Sequence, residues 1–229
     1  MKVIIIGLGN FGGNLALKLT EDGHEVYGVD SNPAKVDLIE NKINTAVGLD
    51  CSDETTIHKL PLDDCDLIVI AIGENVGASI TVTAIIRKYY IGRIIVRSLN
   101  PIHKTVLEAM NIIEIIEPEA EYAHELSNRI MVEGAVKSMD LPGDFEILEI
   151  LMPSQFVGRT FEQVSAMIGE NLTIITAIRR EEKSNFLGSV TTENRVQGIL
   201  TPVYVFAPND LLLIFGKIKN IDKCIQKYS

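Results

Sequence analysis

Val3-Ile-Ile-Ile6-Gly7-Leu-Gly9-Asn-Phe-Gly12 reads as a β-branched strand running straight into a GxGxxG turn, and Leu15, Ala16 and Leu19 then form one apolar stripe over residues 11–22. A strand, a glycine turn and a helix in immediate succession predict the opening βα unit of a parallel sheet. Gly7 permits the tight turn, Gly9 leaves the backbone open to close approach, and Gly12 lets the helix lie close on the strand.

Outward from this unit, residues 25–29, 46–47, 67–72, 93–96 and 112–116 are further short apolar runs, continuous rather than alternating. Such runs suit strands covered on both faces. Helical segments separate them: residues 80–90 carry Ile80, Ala84 and Ile85 in register, and Asn100-Pro101 marks another start with proline in the first turn. The expected fold class is α/β, a Rossmann-like doubly wound parallel sheet with right-handed crossovers, followed by a small α+β C-terminal domain.

A longer helix is predicted after Pro118, with Ala123, Leu126 and Ile130 at helical spacing, ending near Pro142-Gly143. That end sets the expected domains at residues 1–141 and 142–229. In the second domain, strands are expected over 145–152, 172–178, 202–206 and 211–215, with an insertion-like loop over 181–197. Thr160-Phe-Glu-Gln163 is a capping box, Ala207-Pro-Asn-Asp210 a turn, and residues 219–227 a closing helix.

A helix N-terminus behind a glycine turn attracts anions, because its first N–H groups lack intrahelical partners and carry partial positive charge. Gly7, Gly9, Asn10, Phe11 and Gly12 are therefore candidates to hold a pyrophosphate. Asp30, at the end of the second run, is placed to accept from two ribose hydroxyls and would repel a 2′-phosphate. That disfavours NADP against NAD, ATP or ADP. Ser31 and Asn32 either add contacts or cap the next helix. After the third run, Asp50 either reads the amine of an adenine flanked by Cys51, or Ser52 and Asp53 merely cap a helix starting near Glu54. The fourth run ends at Ala71-Ile72-Gly73, where the strand order is expected to reverse; Gly73 admits a ligand there and Asn75 is a polar contact.

The chain has 229 residues, 46% hydrophobic and 23% charged, which suits a globular protein and excludes disorder. Its formal net charge of −10 argues against general nucleic-acid binding, since no surplus of Lys and Arg is present to neutralise phosphates. Cys51, Cys65 and Cys224 are odd in number without CxxC spacing, so they are read as free thiols in a reducing compartment, not as a disulfide or zinc framework. Met1-Lys2-Val3 leads directly into a strand without a secretory pattern, and no apolar stretch approaches the length of a bilayer span. His24, His58, His103 and His124 are read as surface or packing residues, and neither HExxH nor a nucleophile elbow occurs.

Gly7-Leu-Gly9-Asn-Phe-Gly12-Gly13, Val29-Asp30, Gly48-Leu-Asp50-Cys-Ser-Asp53-Glu54, Ala71-Ile-Gly73-Glu-Asn75 and Pro118-Glu119 together resemble an RCK domain, the regulator of potassium conductance found in TrkA- and KtrA-like subunits of bacterial potassium uptake systems. Phe156-Val-Gly158-Arg-Thr160 and Pro208-Asn-Asp210-Leu-Leu-Leu-Ile-Phe-Gly216 resemble the TrkA C-terminal (RCK-C) domain. The resemblance covers essentially the whole chain. It implies a non-catalytic, cytoplasmic gating subunit at the inner face of the membrane. Such subunits form dimers and then an octameric ring beneath an integral membrane potassium transporter of the TrkH or KtrB kind. ATP, ADP or NAD(H) switches the ring between shapes.

Carried over by position, the resemblance implies that Gly7, Gly9 and Gly12 hold phosphates and Asp30 the ribose. Asp50 and Cys51 line the adenine pocket with Gly73 nearby, and Arg97 faces the nucleotide. Glu119 coordinates a divalent or monovalent cation, or reaches a phosphate, between protomers. Ordinary roles stand beside these: Arg97 as a strand-end charge, and Glu119 as a carboxylate favoured in a first helical turn. Asn10 stands where ATP-responsive relatives often carry Arg, which favours NAD(H) or ADP over ATP. The resemblance also implies cyclic di-AMP at the C-terminal domain near Ile174, Ile175 and Arg179; otherwise the two isoleucines are core and Arg179 and Arg180 are solvated. The main rival function is a small NAD-dependent oxidoreductase, for which no acid–base residue is evident. A redox-responsive transcription regulator ranks third, since no basic recognition helix is present.

Overall fold

The computed structural model describes the backbone of residues 1–184 and 190–229, and the side chains of residues 1–180 and 193–229. The chain packs as two units, Met1–Pro118 and Glu119–Ser229.

The first unit holds β1 (Lys2–Ile6), β2 (Glu25–Asp30), β3 (Thr45–Gly48), β4 (Leu67–Ile70), β5 (Arg93–Arg97) and β6 (Glu114–Ile116). They form one sheet in the order β3-β2-β1-β4-β5-β6, every pair parallel. The continuous apolar runs are explained by burial on both faces. Val3 and Ile5 pack with Val26 and Val69 on one side, while Ile4 and Ile6 pack with Ile68 and Ile70 on the other. Each such fully buried side chain contributes roughly 1.5–3 kcal/mol. The order reverses between β1 and β4, so a crevice opens beyond their C-terminal ends.

Four helices cover this sheet: α1 (Asn10–Glu21), α2 (Pro33–Asp37), α3 (Val76–Tyr89) and α4 (Pro101–Ala109). The face of α3 differs from the expected stripe, for Ser79, Val82, Thr83 and Ile86 are buried instead of Ile80, Ala84 and Ile85. Two small hydroxyl residues allow the close approach. Thr83 satisfies itself by donating to the Ser79 carbonyl at 2.7 Å. The helix expected near Glu54 is a 3-10 segment, Glu54–Lys59, capped by Asp53.

In the second unit, the long helix predicted to reach Pro142 stops early. α5 runs Pro118–Met131, Gly134 turns with φ +79°, and β7 (Ala135–Leu141) follows. Pro142-Gly143-Asp144 is the turn of a β-hairpin into β8 (Phe145–Leu151), so the stretch expected to separate domains joins two paired strands. The apolar stripe of α5 is not core: Leu126 and Ile130 are 41% and 77% exposed. With β9 (Leu172–Ser184), β10 (Val190–Val196) and β11 (Leu211–Lys217), these strands make an antiparallel sheet in the order β10-β9-β11-β8-β7. The loop expected over 181–197 is therefore mostly strand, apart from residues 185–189, which lie outside the described residues.

α6 (Phe161–Ile168) opens with the predicted capping box of Thr160 and Gln163, and α7 (Ile218–Tyr228) closes the chain. The strand expected over 202–206 is absent. Its carbonyls instead accept from the approach to α6: Pro202 from Glu162 N–H, Tyr204 from Phe161 N–H and Phe206 from Gly158 N–H. Phe156, Leu148, Phe206, Leu212 and Ile221 centre the core.

Candidate functional site: a cleft at the strand-order reversal

A cleft of about 380 Å³ opens at the C-terminal ends of β1, β2 and β4, within the range of ligand pockets. The glycine loop forms its floor, and its glycines divide by role. Gly7 turns at φ +98°, and a Cβ there would lie 2.9 Å from the Ile72 nitrogen. A Cβ on Gly12 would sit 1.9 Å from the Gly7 carbonyl oxygen, so these two serve packing. Nothing lies within 4 Å of a Cβ on Gly9, which therefore presents bare backbone to open space.

Gly9 is also the N-cap of α1, with no side-chain cap and no acidic residue in the first turn. By contrast Asn32, Asn75 and Asn100 cap α2, α3 and α4 with their side chains. The N–H groups at the start of α1 are thus left to an incoming anion.

Asp30 closes β2, and its two oxygens accept from Leu8 N–H at 2.7 Å and Asn32 N–H at 2.8 Å. Asp50 accepts from the Ser52 hydroxyl at 2.6 Å and the Ser52 N–H at 2.9 Å, and these bonds hold its carboxyl below the usual range. Beside it Cys51 is buried; desolvation, with the charges of Asp50 and Asp30, pushes its thiol up to about 12. It is a packing wall, not a nucleophile. The Arg97 guanidinium lies 5.6 Å over the Phe11 ring and against Gly73, where a Cβ would come within 2.5 Å of it.

Of the predicted residues, Gly7, Gly9, Asn10, Asp30, Ser31, Asp50, Cys51, Ala71, Ile72, Gly73, Asn75 and Arg97 line this cleft together. Gly12 packs beneath it, Phe11 meets it only through Arg97, and Asn32 caps α2. Asn75 caps α3 as well as lining the wall. Glu119 belongs to the second unit, in the first turn of α5. Among the described residues no group of three His, Cys, Asp or Glu side chains is placed to hold a metal.

Lys35, Ser52 and Glu74 also line the cleft and were missed from sequence. Lys35 donates to Glu74 at 2.8 Å across a separation of 39 residues, which no local pattern reveals. This bond, with the charge of Asp30 adding to it against a desolvation penalty, raises the lysine pKa; the same bond and the lysine charge lower that of Glu74.

The histidines do not line the cleft. His103 is buried, with Nδ1 accepting from Leu99 N–H at 3.2 Å and burial lowering its pKa. His124 pairs with Asp140, and His58 packs edge-on against Tyr89. In the second unit Ile174 is buried and Ile175 is 41% exposed. Arg179 is not a solvated charge. Its Nε and Nη2 donate to the two Asp210 oxygens, each at 2.9 Å, and Nη2 also donates to the Tyr204 hydroxyl.

Residues 3–118 match the family model of the TrkA-N domain. The chain is 28% identical over 219 residues to the Ktr system potassium uptake protein C of Bacillus subtilis (strain 168), covering 96% of this chain and 93% of that protein. It is 32% identical over 180 residues to the Trk system potassium uptake protein TrkA homolog of Methanothermobacter thermautotrophicus, covering 72% and 77% of the two. Among solved structures the GsuK RCK domain shares the fold, with a TM-score of 0.64 at 16% identity over 100% of this chain; the chain spans 47% of that structure's length. The GsuK channel bound to NAD matches with a TM-score of 0.62 at 18% identity, over 98% of this chain and 39% of that one.

Proposed function

The chain belongs to the TrkA-N domain family, and from that membership we propose that it is a nucleotide-sensing regulatory subunit of a Trk- or Ktr-type potassium uptake system. The observation that carries the nucleotide part is the uncapped N-terminus of α1 facing a cleft with Gly9 open and Asp30 at its side. A pyrophosphate would sit at Gly9 and Asn10, a ribose at Asp30, and an adenine between Cys51 and the Asp50 loop. Asn10 brings no positive charge for a terminal phosphate, so NAD(H) or ADP fits better than ATP. That a channel of the same fold was solved bound to NAD agrees with this choice.

Relatives aligning over most of the chain are potassium uptake proteins, so the protein is regulatory and not an oxidoreductase. No helix among the described residues is long and apolar enough to cross a membrane, which suits a cytoplasmic subunit docked on an integral membrane transporter. The exposed apolar residues Tyr122, Leu126, Ile130 and Met131 of α5 support self-assembly into a dimer; the octameric ring belongs to the proposal on family resemblance alone. Ligand moves such a ring only through different affinity for its two shapes. A cation at Glu119 and cyclic di-AMP at the C-terminal module belong to the proposal on family resemblance alone.

Isothermal titration with ATP, ADP, NAD, NADH and NADP, followed by product analysis, tests it. Binding of an adenine nucleotide without turnover is expected. Redox turnover of a small substrate would restore the enzyme reading, and binding of none of the five would remove the nucleotide role.

A further inference from the structure

Lys35 and Glu74 sit on opposite walls of the cleft. Lys35 lies on α2, just beyond β2, and Glu74 lies in the segment between β4 and α3. β2 and β4 are not neighbours; β1 runs between them. With about 4.8 Å between adjacent strands, the pair joins anchors roughly 10 Å apart along the sheet edge, and it lines the same cleft as Gly7 and Gly9. The bridge is closed, Nζ to Oε1 at 2.8 Å. Its halves are unequal, the lysine side chain 27% exposed and the glutamate 80%. The lysine therefore lies along the wall while the glutamate reaches over from solvent.

We propose that this ion pair is a strap across the nucleotide cleft, with Lys35 and Glu74 as positioning residues that gate ligand entry and release; the role rests on the nucleotide reading above. A ligand lying against Gly9, Asp30 and Gly73 is beneath the strap, so it enters and leaves only while the pair is apart. Both anchors can yield. α2 is a single short helix of five residues, and residues 71–75 form no regular element. The charge of Asp30 also acts on Lys35, so the parted lysine stays beside a carboxylate. An exposed pair of this kind is weak, so it shapes rates more than affinity.

Stopped-flow binding of NADH and of a fluorescent N-methylanthraniloyl ADP tests the strap on the full chain, comparing wild type with Lys35→Met, Glu74→Gln, the double variant and the reversed pair Lys35→Glu with Glu74→Lys. Association and dissociation should both rise about two- to fivefold in either single variant. The double variant should go no further and the reversed pair should restore slow exchange. High salt should quicken the wild type toward the variants. Equal melting temperatures across the set exclude a general loss of fold. Rates unchanged from wild type overturn the strap alone, as does slower association with lost affinity, which would make Lys35 a direct ligand. If the wild type binds neither probe and none of the five unlabelled nucleotides in the titration, the nucleotide reading falls and takes the strap with it.

Discussion

The backbone N–H of Leu8 donates to Oδ2 of Asp30 at 2.7 Å, so the carboxylate that ends β2 also holds the first turn of the glycine loop. One residue thereby braces the glycine loop and lines the cleft beside it.

Asp30→Ala removes both roles. Adenine-nucleotide affinity should fall by roughly 1.5–3 kcal/mol, about 10- to 150-fold. Isothermal titration of wild type and variant reads this directly. Equal affinities would take Asp30 out of the site.

Gly9→Ala and Gly12→Ala should separate binding from stability. A methyl on Gly12 meets the Gly7 carbonyl at 1.9 Å, and backbone cannot swing aside. Overpacking of this kind costs about 1–3 kcal/mol or more, seen as a lowered melting temperature. At Gly9 the methyl meets nothing within 4 Å, so thermal stability should hold while nucleotide affinity drops. The opposite pattern would reverse the roles given to the two glycines.

With its thiol pushed up to about 12, Cys51 should be nearly inert. Only roughly one part in ten thousand is thiolate at pH 8. Alkylation followed by peptide mass spectrometry should find Cys51 unmodified in native protein and modified in guanidinium. Its native rate should climb tenfold per pH unit from 7 to 10 without a plateau. A rate that levels off above about pH 9 would show an ordinary thiol.

Asp210 is 1% exposed at its side chain and accepts from Arg179, Tyr204 and the Ala207 N–H. Burial alone would raise its pKa, but these hydrogen bonds and the arginine charge outweigh it and hold the carboxyl below its ordinary 3.8. Burial and the neighbouring carboxylate push Tyr204 up to about 12. Because the folded pKa of Asp210 is depressed, its stabilisation is complete above about pH 4 and is lost as pH falls through the folded value. Asp210→Ala should cost roughly 1–3 kcal/mol by leaving the Tyr204 hydroxyl and the Ala207 N–H without their acceptor. Asp210→Asn should flatten the acid limb of stability against pH. Denaturant melts from pH 2 to 7 measure both, and an acid limb unchanged by Asp210→Asn would remove Asp210 from the titration.

The parallel sheet was legible because its evidence is local. Runs such as 67–70 are apolar at every position since Ile68 and Ile70 face one core and Leu67 and Val69 the other. The glycine turn and the capping box of Thr160 and Gln163 each act within a few residues of their partners, so spacing alone discloses them. Where local preference was ambiguous, the reading failed. Residues 135–141 continue an apolar spacing that a helix would accept, yet pairing with β8 holds them as a strand. The 202–206 run carries strand-like residues but spends its carbonyls on the approach to α6.

The sequence by itself thus determined the α/β class, the glycine turn and the carboxylate that line the cleft, because each follows from periodicity and turn geometry. Only the tertiary structure decided what faces what across the fold. It set Lys35 against Glu74 over the cleft, committed Arg179 to Asp210, and left the apolar side of α5 outside the core. Such pairings join residues tens of positions apart, and they exist only once packing has brought their elements together.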